Sequence, residues 1–419
     1  MSLPGTNSVW HPFTRQWNKP DEINIVKGNG IYLYDEKGKK YIDAISSWWV
    51  NLHGHCNPYI SKKVSEQLYV LEHSIFSGFT HPWAIQLAER LRKHLPANQS
   101  KLFYSDNGST AVEVALKMTL QYWHNQNITK TTFIAFENAY HGDTFGGMSV
   151  GARNVFNNAF EKLLFNVEHI PLPDSENIEE VKKQLQNILQ SGNVAGFIFE
   201  PLVQGAAGML MYEEKFLDDL ISICKKSKVI CIADEVMTGF GRTGKFFASN
   251  YLTNSPDILC MSKGLTGGYM PLGLTSCAQF IYNAYVSEDN TKTFFHGHSY
   301  TANATACSAA LASLDLMEQE QTWSQIKMIT ESHVVFAERI KNNPKLKDVR
   351  IKGTIIAFEL KTDDERHYLN NAAITITDYF LEKGIIIRPL GNVFYLIPPY
   401  VITKKELEIL YSAIEEFCT

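Results

Sequence analysis

The sequence predicts an α/β protein with a mostly parallel, doubly wound sheet and a smaller α+β part built from both chain ends. Three observations carry this. Two short apolar runs, residues 229–233 and 258–261, end in Asp234-Glu235 and in Ser262-Lys263-Gly264. Such runs suit central strands of a parallel sheet. Further short apolar runs alternate with amphipathic helical stretches from about residue 58 onward, which is the pattern of a parallel sheet wound by helices. After about residue 302 the pattern changes to a long helical stretch and then to strand-like pieces at 349–360 and 385–398, as in a small antiparallel sheet.

The elements follow in order. Residues 1–57 mix turns with strand-like pieces, such as 30–34 before the turn 35–38, and form the N-terminal part of the small domain. The large domain is expected over 58–305. Within it, 60–70 and 84–94 read as amphipathic helices, 101–104 as a strand and 109–124 as a long helix. Residues 132–135, 194–199, 229–233 and 258–261 read as buried strands. The C-terminal part of the small domain is 306–419, closed by a helix over 404–417.

Composition narrows the function. The chain has 419 residues, 45% hydrophobic and 20% charged, an ordinary globular balance. A net charge of −5 gives no electrostatic case for nucleic acid or an anionic membrane. No run of about 18 apolar residues predicts a membrane span, and the first residues lack a secretory pattern. Seven cysteines are scattered and without a C-x-x-C pair; several lie in apolar runs and read as small core residues, and the protein is expected to be reduced and cytoplasmic. No Cys, Asp or third His completes a plausible ligand set around the two HGH triplets, 53–55 and 296–298, so no metal is expected.

Chemistry concentrates where strands end. In open α/β sheets ligands bind at the carboxyl ends of the strands, and Asp234 and Lys263 are expected there. An amine that forms a Schiff base and an acid that keeps a pyridinium nitrogen protonated are what pyridoxal phosphate requires. The segment SDNGST at 105–110 lies between a strand and the long helix. Gly108 permits close backbone approach, Ser109 supplies a hydroxyl, and the first helical turn offers free N–H groups to an anion. Tyr140, in NAYHG at 138–142, is an aromatic at a strand end that can stack on a flat ring. If the segment of Trp48 and Trp49 is extended, the two rings face opposite sides, one in the core and one lining a pocket. Glu200 is expected to order the surroundings of the cofactor, and Arg242 to be a structural ion-pair or dimer residue.

The run DEVMTGFGRTG at 234–244, followed by PDIL at 256–259 and SKG at 262–264, resembles the signature of class III (ω-) aminotransferases, pyridoxal 5'-phosphate enzymes of fold type I. The resemblance extends from about His11 to Pro399. HPFT at 11–14, SSWW at 46–49, YHGDTFG at 140–146, IRP at 387–389 and YLIPPY at 395–400 are most similar to the branch that serves biotin biosynthesis. That branch converts 8-amino-7-oxononanoate to 7,8-diaminononanoate with S-adenosylmethionine as donor. The resemblance implies Lys263 as Schiff-base lysine and proton carrier, Asp234 at the pyridine nitrogen, and Gly108 and Ser109 at the phosphate. It implies Tyr140 beside the ring, and His298 and Ser299 contributed by the neighbouring subunit of a homodimer. It implies Phe13, Trp48, Tyr140 and Gly297 at the substrate and Arg388 on the carboxylate of 8-amino-7-oxononanoate.

Two positions bear on substrate choice. Ala206, in QGAAG at 204–208, stands where ornithine- and 4-aminobutyrate-type relatives carry a glutamate that masks the substrate-binding arginine, so Arg388 stays available. Phe13 stands where many adenosylmethionine users have tyrosine. A lost neutral hydrogen bond is worth about 0.5–1.5 kcal/mol, so recognition is tuned rather than abolished. Lysine as donor, or a general ω-amine or ω-amino acid:pyruvate aminotransferase, are the alternatives.

Overall fold

The computed structural model describes residues 8–14, 22–154, 156–362 and 372–419. Its centre is a seven-stranded sheet in the order Gln99–Ser105, Gly273–Ala278, Ile258–Met261, Ile230–Asp234, Val194–Phe199, Thr132–Phe136, Val167–Ile170. All neighbours pair parallel except Gly273–Ala278, which runs antiparallel to both strands beside it. The four strands Thr132–Phe136, Val194–Phe199, Ile230–Asp234 and Ile258–Met261 are buried almost throughout. Helices on both faces explain why they read as continuous apolar runs rather than as alternating ones. Asp234 pairs in register with Cys260, so the acid and Lys263 leave the sheet at the same edge.

Helix Gly108–Asn125 packs on one face of this sheet through Ala111, Val112, Val114, Ala115 and Met118. Its start is sharply defined. The Asn107 side chain accepts from the Thr110 N–H, and the Asn107 N–H donates to Thr110 Oγ1, a reciprocal cap that fixes the first turn.

Several expectations needed correction. The helical stretch after 302 is two helices, Ala304–Met317 and Glu320–Ile340, because Gln319 is extended between them. Residues 385–398 are not one run of the C-terminal sheet. Ile385–Ile386 pairs parallel with Lys40–Asp43 in a sheet of N-terminal strands, and only Val393–Leu396 joins the antiparallel sheet Leu346–Lys352, Ile355–Leu360. Pro389, which has no N–H to donate, and Gly391 at φ 66° separate the two. Strand Gly273–Ala278 was not anticipated. Its sequence GLTSCA is small and weakly β-forming, and pairing on both edges holds it in place.

The cysteines at 224, 231, 260, 277, 307 and 418 are buried and Cys56 is exposed; all are free. Among the described residues no helix is long and apolar enough to cross a membrane.

Candidate active site

A cavity of about 460 Å³ opens where the central strands end. Strand Ile230–Asp234 delivers Asp234, strand Ile258–Met261 delivers Lys263, and the helix beginning at Gly108 delivers Gly108 and Ser109. The turn after Phe136 delivers Tyr140 and His141, and strand Val194–Phe199 delivers Glu200. All of them line the cavity. Five sequence-predicted residues, Gly108, Ser109, Tyr140, Asp234 and Lys263, are thus brought together.

Asp234 is buried, and its Oδ2 lies 2.7 Å from His141 Nδ1. A carboxylate can only accept, so His141 carries its proton on Nδ1. Asp234 Oδ1 accepts from the Val236 N–H at 3.1 Å. The other imidazole nitrogen, His141 Nε2, is buried without a partner. His141 was not singled out by sequence reasoning; its burial beside the acid is a tertiary fact.

Lys263 sits at φ 44° just after its strand. Burial lowers the pKa of its amine, opposed in part by the negative charges of Asp234 and Glu200. No carboxylate reaches ion-pair distance of Nζ among the described residues, and Nζ lies 4.8 Å from the centre of the Trp49 ring. Burial without a paired anion disfavours the charged form of the amine.

Glu200 ties two loops together. Its Oε1 accepts from the Tyr140 N–H at 3.1 Å and its Oε2 from the Gly205 N–H at 2.9 Å. Burial raises its pKa to about 7. Gly142, at φ 108°, has no room for a Cβ, which would fall 2.1 Å from Ser109 Oγ. Its loop can therefore lie directly against the helix start.

These residues fit pyridoxal phosphate. The amides at Gly108 and Ser109 precede the first intrahelical bond and face an anion's place. Gly108 is also confined, since a Cβ would meet Val236 at 2.7 Å. Asp234, oriented by His141 and the Val236 N–H, has lone pairs left for a pyridine N–H, and Lys263 lies across the same cavity.

The remaining predicted residues do not line this cavity. Phe13, Trp48 and Arg388 form a separate group: the Arg388 guanidinium lies 4.3 Å from the Trp48 ring and 6.0 Å from the Phe13 ring. Phe156 bridges this group to Tyr140, with ring centroids 6.0 Å from Phe13 and 6.4 Å from Tyr140. Gly297, His298 and Ser299 lie on a segment held by His73, whose Nε2 contacts the Ser299 carbonyl at 2.5 Å. None of the three reaches its own chain's cavity.

The tryptophans correct the sequence reading. Residues 46–49 are not extended but form a short helical turn with positive φ throughout. It is Trp49 that lines the cavity, while Trp48 is partly exposed beside Arg388. Arg242 is also corrected. It has no ion-pair partner among the described residues and no exposed surface. Its guanidinium donates to the carbonyls of Pro398 at 2.9 Å, Trp49 at 3.3 Å and Asn51 at 3.1 Å.

Comparison with known proteins agrees with this geometry. Residues 13–418 match the family model described as aminotransferase class-III. A protein of Synechococcus elongatus named adenosylmethionine-8-amino-7-oxononanoate aminotransferase is 44% identical, over 99% of each chain. One of the same name from Staphylococcus aureus is 40% identical over 96% of this chain and 93% of its own. The crystal structure of the enzyme of that name from Methanocaldococcus jannaschii superposes with a TM-score of 0.92 at 38% identity, covering 98% of this chain and 97% of its own. A PLP-bound amine transaminase from an uncultivated Pseudomonas species gives 0.91 at 31% identity, covering 99% and 100%.

Proposed function

As a member of the class-III aminotransferases, to which this chain belongs, the protein is a pyridoxal phosphate-dependent enzyme, and we propose that it aminates 8-amino-7-oxononanoate to 7,8-diaminononanoate in biotin biosynthesis with S-adenosylmethionine as donor. The observation that carries this reading is the end-to-end likeness, at 44% identity, to a relative of that name. The cavity with Lys263 facing the Asp234–His141 pair supports it.

Bound pyridoxal phosphate supplies a carrier for the amino group and a sink for electrons. The chain supplies the rest. Gly108 and Ser109 hold the phosphate with their amides and the Ser109 hydroxyl. Asp234, fixed by His141, accepts the pyridine N–H. Tyr140 and Trp49 confine the site and exclude water. Lys263 Nζ, its pKa lowered by burial, would carry the proton from the substrate carbon that bears nitrogen to carbon C4′ of the cofactor. Donor and acceptor occupy the same site in turn, which gives ping-pong kinetics. Arg388 receives the carboxylate of 8-amino-7-oxononanoate, with Trp48 and Phe13 beside it and Gly297 at the substrate.

We read the active form as a cytoplasmic homodimer in which Ser299 and His298 complete the phosphate site of the neighbouring subunit. Their distance from their own cavity and the exposure of Tyr69, Ile75, Phe79, Phe295 and Tyr300 in the single chain support it. We also read residues 1–57 and 306–419 as one small domain beside 58–305. The pairing of Ile385–Ile386 with Lys40–Asp43 supports that division.

The test is direct. The purified enzyme with pyridoxal phosphate, 8-amino-7-oxononanoate and S-adenosylmethionine should form 7,8-diaminononanoate. Formation with lysine alone would move the donor, a shift that Phe13 allows. No diamine with either donor, together with turnover of simple amines and pyruvate, would replace the reading with a general ω-amine aminotransferase.

A further inference from the structure

The backbone of residues 46–49 winds with the opposite hand to every other helix described. Ser46, Ser47, Trp48 and Trp49 have φ of 53°, 46°, 69° and 74°. The Trp49 N–H donates to the Ile45 carbonyl at 2.8 Å and the Val50 N–H to the Ser46 carbonyl at 2.9 Å. This is one turn of left-handed α-helix made without glycine. L-residues avoid that conformation because Cβ crowds the following carbonyl oxygen, and non-glycine residues enter it singly rather than in runs. A strained run persists only where its surroundings over-determine it.

Here they do. Ser46 Oγ donates to the Ile397 carbonyl at 2.7 Å. Ser47 Oγ donates to Asp43 Oδ2 at 2.8 Å. Asp43 is wholly buried, and it also accepts from His55 Nε2 at 2.8 Å and from the Ile45 N–H at 3.3 Å. Arg242 grips the carbonyls of Trp49 and Asn51. Trp49 Nε1 donates to Tyr395 Oη at 3.0 Å.

The outcome is that two adjacent tryptophans meet two separate basic side chains. Trp49 lies against Lys263 Nζ and Trp48 against the Arg388 guanidinium. Reversing the hand of the turn would move both rings off these groups. We propose that Asp43 and Ser47, which do not line the cavity, are positioning residues for the reaction: they hold the left-handed turn that sets Trp49 against Lys263 and Trp48 against Arg388. The kinetic part rests on the roles given to Lys263 and Arg388 under the proposed function; the conformational part does not.

The test compares Ser47→Ala with Ser47→Gly. Alanine removes the hydroxyl and keeps the crowding of a Cβ. Glycine removes both, because it adopts positive φ freely. Ser47 is exposed, so neither change disturbs the core. Ser47→Ala should weaken the near-ultraviolet circular dichroism of the tryptophans in both cofactor-free and loaded protein, and lower the unfolding temperature. In the loaded enzyme it should lower kcat/KM by about tenfold, with KM for 8-amino-7-oxononanoate raised through Trp48 and kcat lowered through Trp49. Ser47→Gly should recover most of each loss. In a loop without a left-handed requirement the ranking is the reverse, glycine being the looser residue.

A Ser47→Ala protein within twofold of the parent in kcat/KM and with an unchanged dichroism spectrum overturns the proposal. So does a Ser47→Gly protein that falls at or below Ser47→Ala. Asp43→Asn should reproduce the Ser47→Ala signature more strongly; if it fails to fold, the serine pair still decides. If no diamine forms in any assay, the proposed substrate is wrong, and the dichroism and unfolding order still report on the turn.

Discussion

The two walls of the cavity are built in opposite ways. One wall carries Gly108, Ser109, Asp234 and Lys263 at the ends of regular elements: a capped helix and two fully buried strands. The other begins at Trp49, which lines the cavity, and continues outside it to Trp48 and Arg388, on a left-handed turn and an irregular stretch drawn from opposite ends of the chain. Under the proposed function the regular wall holds the groups for the shared chemistry of the family. On the same reading the irregular wall holds the groups that choose the substrate. Regular elements give fixed positions at little strain, whereas the selective wall is held by hydrogen bonds from distant residues to a turn that L-residues avoid, at roughly 1–2 kcal/mol for each residue in the wrong hand.

The sharpest way to break this comparison is at Lys263. Lys263→Ala should reduce turnover by about 10⁴-fold, the upper range for loss of a general acid–base group, and borohydride should no longer fix the cofactor to the chain. The cofactor-free variant should be no less stable near neutral pH, because a buried amine whose pKa burial lowers has been removed. Retained turnover within tenfold would show that the regular wall does not carry the chemistry.

Arg242 ties the irregular wall to the rest. Arg242→Met leaves the carbonyls of Trp49, Asn51 and Pro398 without donors in a dry interior. Each unsatisfied group costs about 1–3 kcal/mol. Unfolding in urea should therefore shift by several times the effect of an ordinary surface substitution, and activity should fall with it. A variant of unchanged stability would mean that the turn needs no such clamp.

Arg388 separates binding from chemistry. Arg388→Ala should raise KM for 8-amino-7-oxononanoate by an amount corresponding to about 1.5–3 kcal/mol, the worth of hydrogen bonds to a charged group. The half-reaction with the amino donor, followed by the cofactor's absorbance, should change far less. Equal losses in both half-reactions would assign Arg388 to the common machinery.

The unequal legibility of the two walls in the sequence follows from the same contrast. The strand ends at Asp234 and Lys263 were readable because buried parallel strands leave an apolar signature that stops abruptly at a charge. The helix start at Gly108 was readable from the combination of Gly108 and Ser109 between a strand and a long helix, where a plain cap needs only one of them. Trp49 was misplaced because β-like residues in SSWW suit an extended segment, and nothing local signals that Arg242, Asp43 and Ile397 hold it in the other hand. His141 and Phe156 were missed for a related reason. Their roles come from what they touch, Asp234 in one case and Phe13 with Tyr140 in the other. The parallel pairing of Ile385–Ile386 with the N-terminal sheet joins residues too far apart in sequence for any periodicity to reveal.

A smaller effect probes the seam between the walls. His53 follows the left-handed turn, and its Nε2 lies 3.0 Å from Ser313 Oγ, which donates to the carbonyl of Gly264 beside Lys263. Burial, with the positive charge of Arg242 next, lowers its pKa to about 3. His333, in the helix Glu320–Ile340 and away from the cavity, is lowered to about 3 by burial. An unfolded histidine titrates near 6.5. Between about 6.5 and 3 the unfolded chain therefore binds more protons than the folded one, and stability falls as pH falls through that window. Each histidine contributes at most about 1.4 kcal/mol per pH unit, so acidification from pH 7.5 to 5.5 should cost roughly 1 kcal/mol at each site. Urea unfolding of the cofactor-free chain checks this. His53→Asn and His333→Gln should both be destabilised at pH 7.5, and the gap to the parent should narrow at pH 5.5. If the gap is the same at both pH values, these imidazoles are not held neutral. If it narrows for His333 alone, the seam at His53 admits water that the interior at His333 does not.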